Sequence, residues 1–153
     1  EIVHQKFALN DVVVNRGANA RMVTIKLYIN DEFVNSYRAD GLIIATPTGS
    51  TAYNLSAGGP IVNPQIRAII ITPICPHTLY VRPIVISEKE KLKIVISGEN
   101  NAMKITTDGS SVYDLINEDE IHLTASDNSI SMVSFPDKTF YTILHEKMRV
   151  GMV

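Results

Sequence analysis

Apolar residues recur at every second position in three stretches of the chain, and this period limits the folds that the chain can adopt. The alternation runs through residues 22–29, 91–97 and 129–133. A period of two is that of a β-strand with one buried face, so the sequence predicts several half-buried strands. In the first stretch the apolar face consists of Val23, Ile25, Leu27 and Ile29.

Two shorter runs, residues 42–45 and 68–72, are apolar almost throughout, which is typical of strands that are buried on both faces. Polar breaks separate the strand-like stretches. Asn30 and Asp31 form one such break and have the composition of a hairpin turn, and residues 88–90 and 98–101 form two more. Many short strands at regular spacing suggest a sandwich or a barrel. We expect an all-β domain built as a two-layer, multi-stranded β-sandwich.

One helix is predicted near the C-terminus, because apolar residues recur there at helical spacing between Pro136 and Gly151. We therefore divide the chain into a β-rich domain of residues 1–135 and a helical tail of residues 136–153. The apolar residues at helical spacing are Phe140, Ile143 and Leu144, and Lys147 continues the same spacing.

The composition excludes several classes of protein. A chain of 153 residues with 45% apolar residues suits one domain with a real core, and a net charge of -2 gives no support for a nucleic-acid surface. No apolar run approaches the roughly 18 residues of a membrane span. The single cysteine, Cys75, cannot form an internal disulfide, which is consistent with a reducing cytoplasm. We expect a cytoplasmic protein without nucleic-acid or membrane partners.

The most informative segment is residues 40–60, in which a short apolar strand leads into a loop rich in hydroxyl residues. Such a loop offers groups that bind a nucleotide. Backbone N–H groups near Gly49 and Ser50 can approach phosphate, and Ala52 leaves room for a base. Tyr53 can stack on adenine or ribose while its hydroxyl stays in water. We call residues 40–60 the signature segment.

The signature segment resembles that of the NAD kinase family, and three further segments agree. Asn10 and Asp11 resemble the family's Asn-acidic pair, residues 73–85 resemble its Pro-His-rich segment, and residues 107–109 resemble a late turn. The resemblance runs from about residue 8 to about residue 109. It implies a protein with an N-terminal α/β domain followed by a β domain, assembled as a homodimer or homotetramer. This chain would be the second domain of such a protein, with its helical tail packing toward the N-terminal domain.

Asn10 and Asp11 are an amide beside a carboxylate, which can bind a ribose diol from both sides. A plain turn is the alternative, and the resemblance favours the ribose site. The family more often has Glu at the position of Asp11, so the shorter side chain changes the reach. For Asp40 the resemblance implies an acceptor for an amine or amide of the dinucleotide. Arg38 lies two residues earlier and either pairs with Asp40 or flanks a ligand phosphate.

The resemblance also implies dinucleotide contacts in the signature segment and at two isolated positions. Arg21 stands where relatives place a ligand-contacting residue, although a solvated arginine fits equally well. Cys75 stands where the family has a small residue that lines the pocket, and by itself it suggests a small buried apolar side chain. Cys75 and His77 are too few for a metal site, and we expect none. The contacts implied in the signature segment are Thr51, Ala52, Tyr53, Asn54, Leu55 and Ser56.

The resemblance implies that the parent protein transfers a phosphoryl group to the adenosine ribose 2′-hydroxyl of NAD and so makes NADP. The donor would be ATP or polyphosphate, and a divalent metal such as Mg²⁺ would assist. In the family the catalytic aspartate lies in a Gly-Gly-Asp-Gly motif of the N-terminal domain, and this chain has no such motif. We therefore expect no catalytic residue here, and an inactive chain when it stands alone.

Two alternatives come from other classes of protein. A kinase of lipid or sphingoid alcohols has a distantly related β domain, but Asn10, Asp11 and the Thr51-Ala52-Tyr53 triplet argue against it. The other alternative is a non-catalytic β-sandwich that binds a nucleotide or a partner as a sensor or scaffold. A Gly-Gly-Asp-Gly motif upstream of residue 1 would distinguish the enzyme from the sensor.

Overall fold

The computed structural model describes residues 4–17, 23–97 and 103–149, and strands dominate these residues. The strands are β1 (Asp11–Arg16), β2 (Val23–Ile29), β3 (Glu32–Ala39), β4 (Gly41–Ala45), β5 (Ala68–Ile74), β6 (Ile84–Ser87), β7 (Leu92–Ser97), β8 (Met103–Thr107), β9 (Ser110–Leu115) and β10 (Glu120–Leu123). The helical elements are a 3₁₀ turn (Thr48–Thr51), α1 (Tyr53–Ser56) and α2 (Phe140–Arg149).

The strands form two antiparallel sheets whose inner faces share one core. Sheet A has the order β6-β5-β4-β1-β8-β9, and sheet B has the order β10-β7-β2-β3. Ile25 and Leu27 of β2 and Leu92, Ile94 and Ile96 of β7 point inward, as predicted, and pack against sheet A. The predicted two-layer all-β fold is therefore confirmed. Buried residues that represent the core are Val14, Ile25, Leu27, Leu42, Ile71, Leu92, Ile94 and Met103.

The outer face of sheet A is covered by residues 46–62, which we call the covering segment. Val13, Ile43 and Ile70 point to this outer face and pack with Val62 in a second apolar cluster. All five residues of β4 and the first six of β5 are buried. The predicted burial of these strands on both faces is therefore confirmed, and its cause is the covering segment.

The chain passes from sheet B to sheet A at Asp40. β3 ends at Ala39 and β4 begins at Gly41, so one residue separates strands of different sheets. The backbone N–H of Asp40 donates to Ile74 O over 2.9 Å, and its carbonyl accepts from the N–H of Arg16 over 2.9 Å. Asp40 thus sits at a corner where both sheets and the end of β5 meet.

Two hairpin turns have the conformation that their sequences predict. Asn30 and Asp31 join β2 to β3 with φ angles of 49° and 65°. Asp108 and Gly109 join β8 to β9 with φ angles of 49° and 71°. Two successive residues in the left-handed region are typical of type I′ hairpins, which favour Asn, Asp and Gly.

The C-terminal part of the described chain differs in one respect from the sequence prediction. Helix α2 is present, but the predicted strand at residues 129–133 is absent, and this stretch has no regular structure. Alternation stabilises a strand only where a neighbouring strand and a core accept it, and here the apolar side chains stay exposed. Met132 is 63% and Val133 is 91% exposed. The division between residues 1–135 and 136–153 stays a prediction.

The predicted break at residues 98–101 lies outside the described residues, and so does the predicted ligand contact Arg21. Among the residues that are described, no helix is long and apolar enough to cross a membrane.

Candidate functional site

A cavity of about 430 Å³ lies on the outer face of sheet A, beside the start of the covering segment. Strand β1 presents Asp11, Val13 and Asn15 to it, since alternate residues of a strand share a face. The complete lining consists of Asn10, Asp11, Val13, Asn15, Ala52, Tyr53, Thr106, Asp108 and Gly109. Four of the residues predicted from sequence, Asn10, Asp11, Ala52 and Tyr53, therefore meet in this first cavity.

The backbone of Asn10 and Asp11 is held from one side by Asp108. The Asp108 carboxylate accepts hydrogen bonds from the N–H groups of Leu9, Asn10 and Asp11 over 2.7, 2.7 and 3.0 Å. The N–H of Asp108 in turn donates to Asp11 O over 3.0 Å. The turn between β8 and β9 thus fixes residues that lie almost one hundred positions earlier in the chain.

The covering segment holds the same residues from the other side. The Thr46 N–H donates to Asn10 O over 2.9 Å, and the Thr46 hydroxyl donates to Leu9 O over 2.6 Å. Gly49 lies so close that a Cβ atom there would overlap the carbonyl of Asn10. This explains why the segment needs glycine at position 49.

Asp11 and Asp108 have pKa values that move in opposite directions. Burial, and then the nearby charge of Asp108, raise the pKa of Asp11 above its ordinary value. For Asp108, partial burial favours the protonated form, but the three backbone N–H bonds together outweigh it and lower the pKa. Asp11 is 5% exposed and lines the cavity. Its carboxylate is therefore well placed to accept hydrogen bonds from a bound diol.

Tyr53 begins α1 and is 45% exposed. It lines the first cavity together with Ala52. The Ala52 N–H donates to Gly49 O over 2.9 Å, which closes the 3₁₀ turn before the helix. The aromatic ring therefore stands at the wall of the cavity on a backbone that local hydrogen bonds define.

Asn54 supports the covering segment from inside. Its amide donates to the carbonyls of Ser50 and Pro60 over 2.9 and 3.0 Å, and its oxygen accepts from the Thr72 hydroxyl over 2.6 Å. The side chain is fully buried. These bonds join the segment to β5 and leave the amide facing the protein. The prediction that Asn54 contacts a ligand stays a prediction, and the structure gives its side chain a supporting role.

Helix α1 ends where the sequence places Gly58 and Gly59. Gly58 has a φ of 84°, and the N–H groups of Gly58 and Gly59 donate to Leu55 O and Asn54 O. This is the Schellman pattern of a helix end. Three further predicted contacts on this turn and helix are exposed and do not line the first cavity; they are Thr51, Leu55 and Ser56.

A second cavity, of about 280 Å³, adjoins the first, and the two share Asn15 and Tyr53. Arg16 Nε lies 2.7 Å from Asp40 Oδ1 in an ion pair whose side chains are 43% and 34% exposed. The predicted residue Asp40 is therefore part of the site. The lining consists of Asn15, Arg16, Gly17, Asp40, Tyr53 and Ile74.

Arg38 lines neither cavity, and its predicted ligand contact stays a prediction. Its neighbours in β3, Tyr37 and Ala39, point into the core, so Arg38 is exposed on the outer face of sheet B. The suggested ion pair between Arg38 and Asp40 is wrong for this structure, because the chain changes sheets at Asp40 and the carboxylate faces Arg16 instead.

Cys75 is exposed, so its interpretation as a small buried apolar side chain is wrong. It follows the end of β5 with a φ of 44°, where the chain turns out of sheet A. It comes directly after Ile74, which lines the second cavity. Its predicted ligand contact stays a prediction.

The sequence analysis did not predict three polar residues that line the two cavities: Asn15, Arg16 and Thr106. It also did not predict the lining residues Val13, Gly17 and Ile74. One signal for Asn15 was present, since Asp11, Val13 and Asn15 alternate along β1 and share a face. Thr106 follows only from the register that pairs Val13 with Thr106 across β1 and β8. That pairing joins residues 93 positions apart.

The side chains of the site do not fit a divalent cation. Within residues 4–17, 23–97 and 103–149, no group of three or more His, Cys, Asp or Glu residues is placed to hold a metal ion. Asp108 already accepts three backbone N–H groups, and Asp11 is the other carboxylate of the first cavity.

The fold and the site define a two-layer β-sandwich domain with two adjoining cavities, the first on the outer face of its larger sheet and the second beside Asp40. Residues 9–135 match the family model described as the ATP-NAD kinase C-terminal domain. The chain therefore belongs to the NAD kinase family, as a C-terminal domain.

Relatives and solved structures agree with this membership. The NAD kinase of Caldanaerobacter subterraneus subsp. tengcongensis is 50% identical over 92% of this chain and 50% of its own length. That of Trichlorobacter lovleyi is 43% identical over 99% of this chain and 53% of its own length. The chain thus spans about half the length of the curated relatives it matches.

Among solved structures, yeast NADH kinase complexed with NADH superposes with a TM-score of 0.72 at 42% identity, over 75% of this chain and 33% of that chain. An NAD kinase from Archaeoglobus fulgidus in complex with ATP superposes with a TM-score of 0.71 at 32% identity, over 78% of this chain and 46% of that chain.

Proposed function

We propose that this chain is the dinucleotide-binding domain of an NAD kinase, and that the first cavity binds the adenosine part of NAD. The observation that carries the proposal is the meeting of Asn10 and Asp11 with Ala52 and Tyr53 in one cavity. These pairs lie about forty residues apart in sequence, and the resemblance to one family predicted both as nucleotide contacts. A structural neighbour solved with NADH supports the ligand class.

Within the cavity, Asn10 and Asp11 bind the ribose diol and Tyr53 stacks on the base. The buried Asp11 carboxylate accepts from a hydroxyl, and a ligand lacking that hydroxyl leaves the carboxylate unpaired. Ala52 brings no side chain beyond Cβ, so a flat base fits against it. The role of this domain is to hold the adenosine ribose so that its 2′-hydroxyl is presented to the donor.

The parent protein, on this proposal, phosphorylates that hydroxyl with ATP or polyphosphate and makes NADP. A structural neighbour solved with ATP supports the donor class. The general base and the divalent-metal ligands belong to the N-terminal domain of the parent, where the family resemblance puts the Gly-Gly-Asp-Gly motif. This chain alone is inactive. The parent is a cytoplasmic homodimer or homotetramer.

Titration of NAD into the purified chain by calorimetry tests the proposal. We expect saturable binding that Tyr53→Ala weakens about tenfold, because one aromatic stacking contact is lost. Tyr80→Ala is the matched control, since Tyr80 is 94% exposed and lines neither cavity. A folded chain that does not bind millimolar NAD contradicts the proposal.

A kinase assay with ATP and NAD tests the second half of the proposal. We expect no turnover from this chain and turnover from the parent protein. NADP formation by the chain alone, at a rate similar to that of a full-length relative, contradicts the assignment of catalysis to the other domain. Family membership favours an NAD kinase over the lipid-kinase alternative.

A further inference from the structure

Charge is distributed unevenly between the two cavities. The first contains the carboxylates of Asp11 and Asp108 and no cation among its described lining residues. In the second cavity Arg16 is the one Lys or Arg among the described lining residues. A dinucleotide joins its two nucleosides through a diphosphate, which two nearby carboxylates repel and a guanidinium attracts.

We propose that Arg16 binds the diphosphate of the dinucleotide, and that the ligand therefore extends from the first cavity into the second. This inference rests on the proposed function and adds to it the residue that recognises the anionic part of the substrate. The adenosine occupies the cavity with the two carboxylates, and the diphosphate crosses the boundary formed by Asn15 and Tyr53.

The geometry of the Arg16 ion pair suits this role. Asp40 Oδ1 accepts from Arg16 Nε over 2.7 Å, so it holds one edge of the planar guanidinium and fixes its direction. A guanidinium carries five N–H donors, and one arginine can serve a carboxylate and a phosphate together. The pair is 43% and 34% exposed, so a ligand can reach it without opening the core.

The position of Arg16 is also well defined by the backbone. Arg16 is the last residue of β1, and its N–H donates to Asp40 O over 2.9 Å. The neighbouring Asn15 and Asp11 belong to the same strand and line the first cavity. A single strand thus presents the ribose-binding carboxylate near one end and the diphosphate-binding guanidinium at the other. Arg38, the cation predicted from sequence, lines neither cavity.

The test compares NAD with adenosine, which has no phosphate, on the whole chain. We expect Arg16→Gln to weaken NAD binding about tenfold or more, as expected for a lost charge-assisted hydrogen bond, and to leave adenosine binding within about twofold. Arg16→Lys keeps the charge and should recover part of the NAD affinity. Arg67→Gln is the matched control, because Arg67 forms a similar exposed ion pair with Glu88 at 2.9 Å, away from both cavities.

Three results would overturn the inference. Unchanged NAD affinity in Arg16→Gln would place the diphosphate elsewhere. An equal loss of NAD and adenosine affinity would make Arg16 a purely structural residue of the corner at Asp40. A wild-type chain that binds neither ligand would contradict the proposed function itself, and the inference would fall with it.

Discussion

The two sheets contribute to the same core, yet only sheet A carries the site. Its outer face is covered by residues 46–62, which add a second apolar cluster around Ile43 and Ile70. The outer face of sheet B is open to solvent, and Val34 on it is 41% exposed. The cavities form beside the covering segment, where part of β1 is left uncovered. The binding site therefore depends on the outer face of sheet A being covered in one part and open in the adjacent part.

The two type I′ turns also differ in what their aspartate carboxylates contact. Asp31 on sheet B and Asp108 on sheet A both have positive φ angles in two-residue turns. Among the described residues, the Asp31 carboxylate makes one ion pair, a 3.6 Å contact with Lys93 at the surface. The Asp108 carboxylate accepts three backbone N–H groups that position Asn10 and Asp11. Turn chemistry predicts both conformations equally well, and only long-range contacts distinguish their roles.

The largest expected effect is the loss of packing beneath the covering segment. We expect Ile70→Ala to lower the free energy of unfolding by about 3 to 4 kcal/mol, because it leaves a cavity between sheet A and the segment. Val34→Ala on the outer face of sheet B should cost less than about 1 kcal/mol. Urea denaturation of both variants measures the difference. Equal costs would mean that the covering segment contributes no second core.

The next effect concerns the polar connection between the covering segment and β5. Asn54→Ala removes the partner of two buried carbonyls and of the Thr72 hydroxyl. We expect a loss of about 2 to 3 kcal/mol in the free energy of unfolding. Asn128→Ala, at an exposed position, is the control and should change it by less than about 0.5 kcal/mol. An Asn54→Ala protein of wild-type stability that binds NAD less tightly would assign Asn54 a direct ligand contact instead.

The sequence predicted those features that depend on local pattern. The period-two stretches appear as β2 and β7, the continuous runs as β4 and β5, and the polar dipeptides as turns. At residues 129–133, the local pattern alone was not sufficient to form a strand. Its alternation is as clear as that of β10, but a strand also needs a partner with free backbone groups, which a local pattern does not specify.

Site residues that belong to a short sequence motif could be predicted. Site residues that come together only through the pairing of distant strands could not. Asn10, Asp11, Ala52 and Tyr53 belong to motifs and do line the first cavity. Arg16 replaced Arg38 as the partner of Asp40 because the chain changes sheets between β3 and β4. A spacing of two residues places side chains together only while a strand stays in one sheet.

A smaller effect should distinguish the two turns. Asp108→Asn keeps the shape but loses the charge that accepts three N–H groups, and we expect it to cost about 1 kcal/mol at neutral pH, since solvent screens this exposed carboxylate. Because the pKa of Asp108 is lowered on folding, this stabilisation is present above the ordinary value of 3.8 and is lost as the pH falls through the lowered folded pKa. Asp31→Asn is the matched control and should be neutral. Urea titrations from pH 7 to pH 2 measure both variants, and equal costs for the two would contradict the distinction between the turns.

The smallest change in stability has the opposite sign and lies in the same cavity. Burial and the charge of Asp108 raise the pKa of Asp11, so the folded protein binds a proton there more tightly than the unfolded chain does. The ionised carboxylate therefore costs stability at neutral pH, and this cost disappears as the pH falls below the ordinary value of 3.8. We expect Asp11→Asn to be slightly more stable than wild type at pH 7, with the gain shrinking toward zero in acid. The same variant should bind NAD about tenfold more weakly, because it loses a charged acceptor for the ribose.

Urea unfolding across the pH range and NAD calorimetry at pH 7 measure the two effects of Asp11→Asn separately, with the exposed Asp127→Asn as the control. A variant that loses both stability and affinity would show that Asp11 supports the fold rather than the ligand. A gain in stability with a loss of affinity would mean that the cavity keeps an unfavourable buried charge because the ligand uses it. That outcome would complete the contrast with sheet B, whose exposed carboxylate Asp31 should change neither quantity.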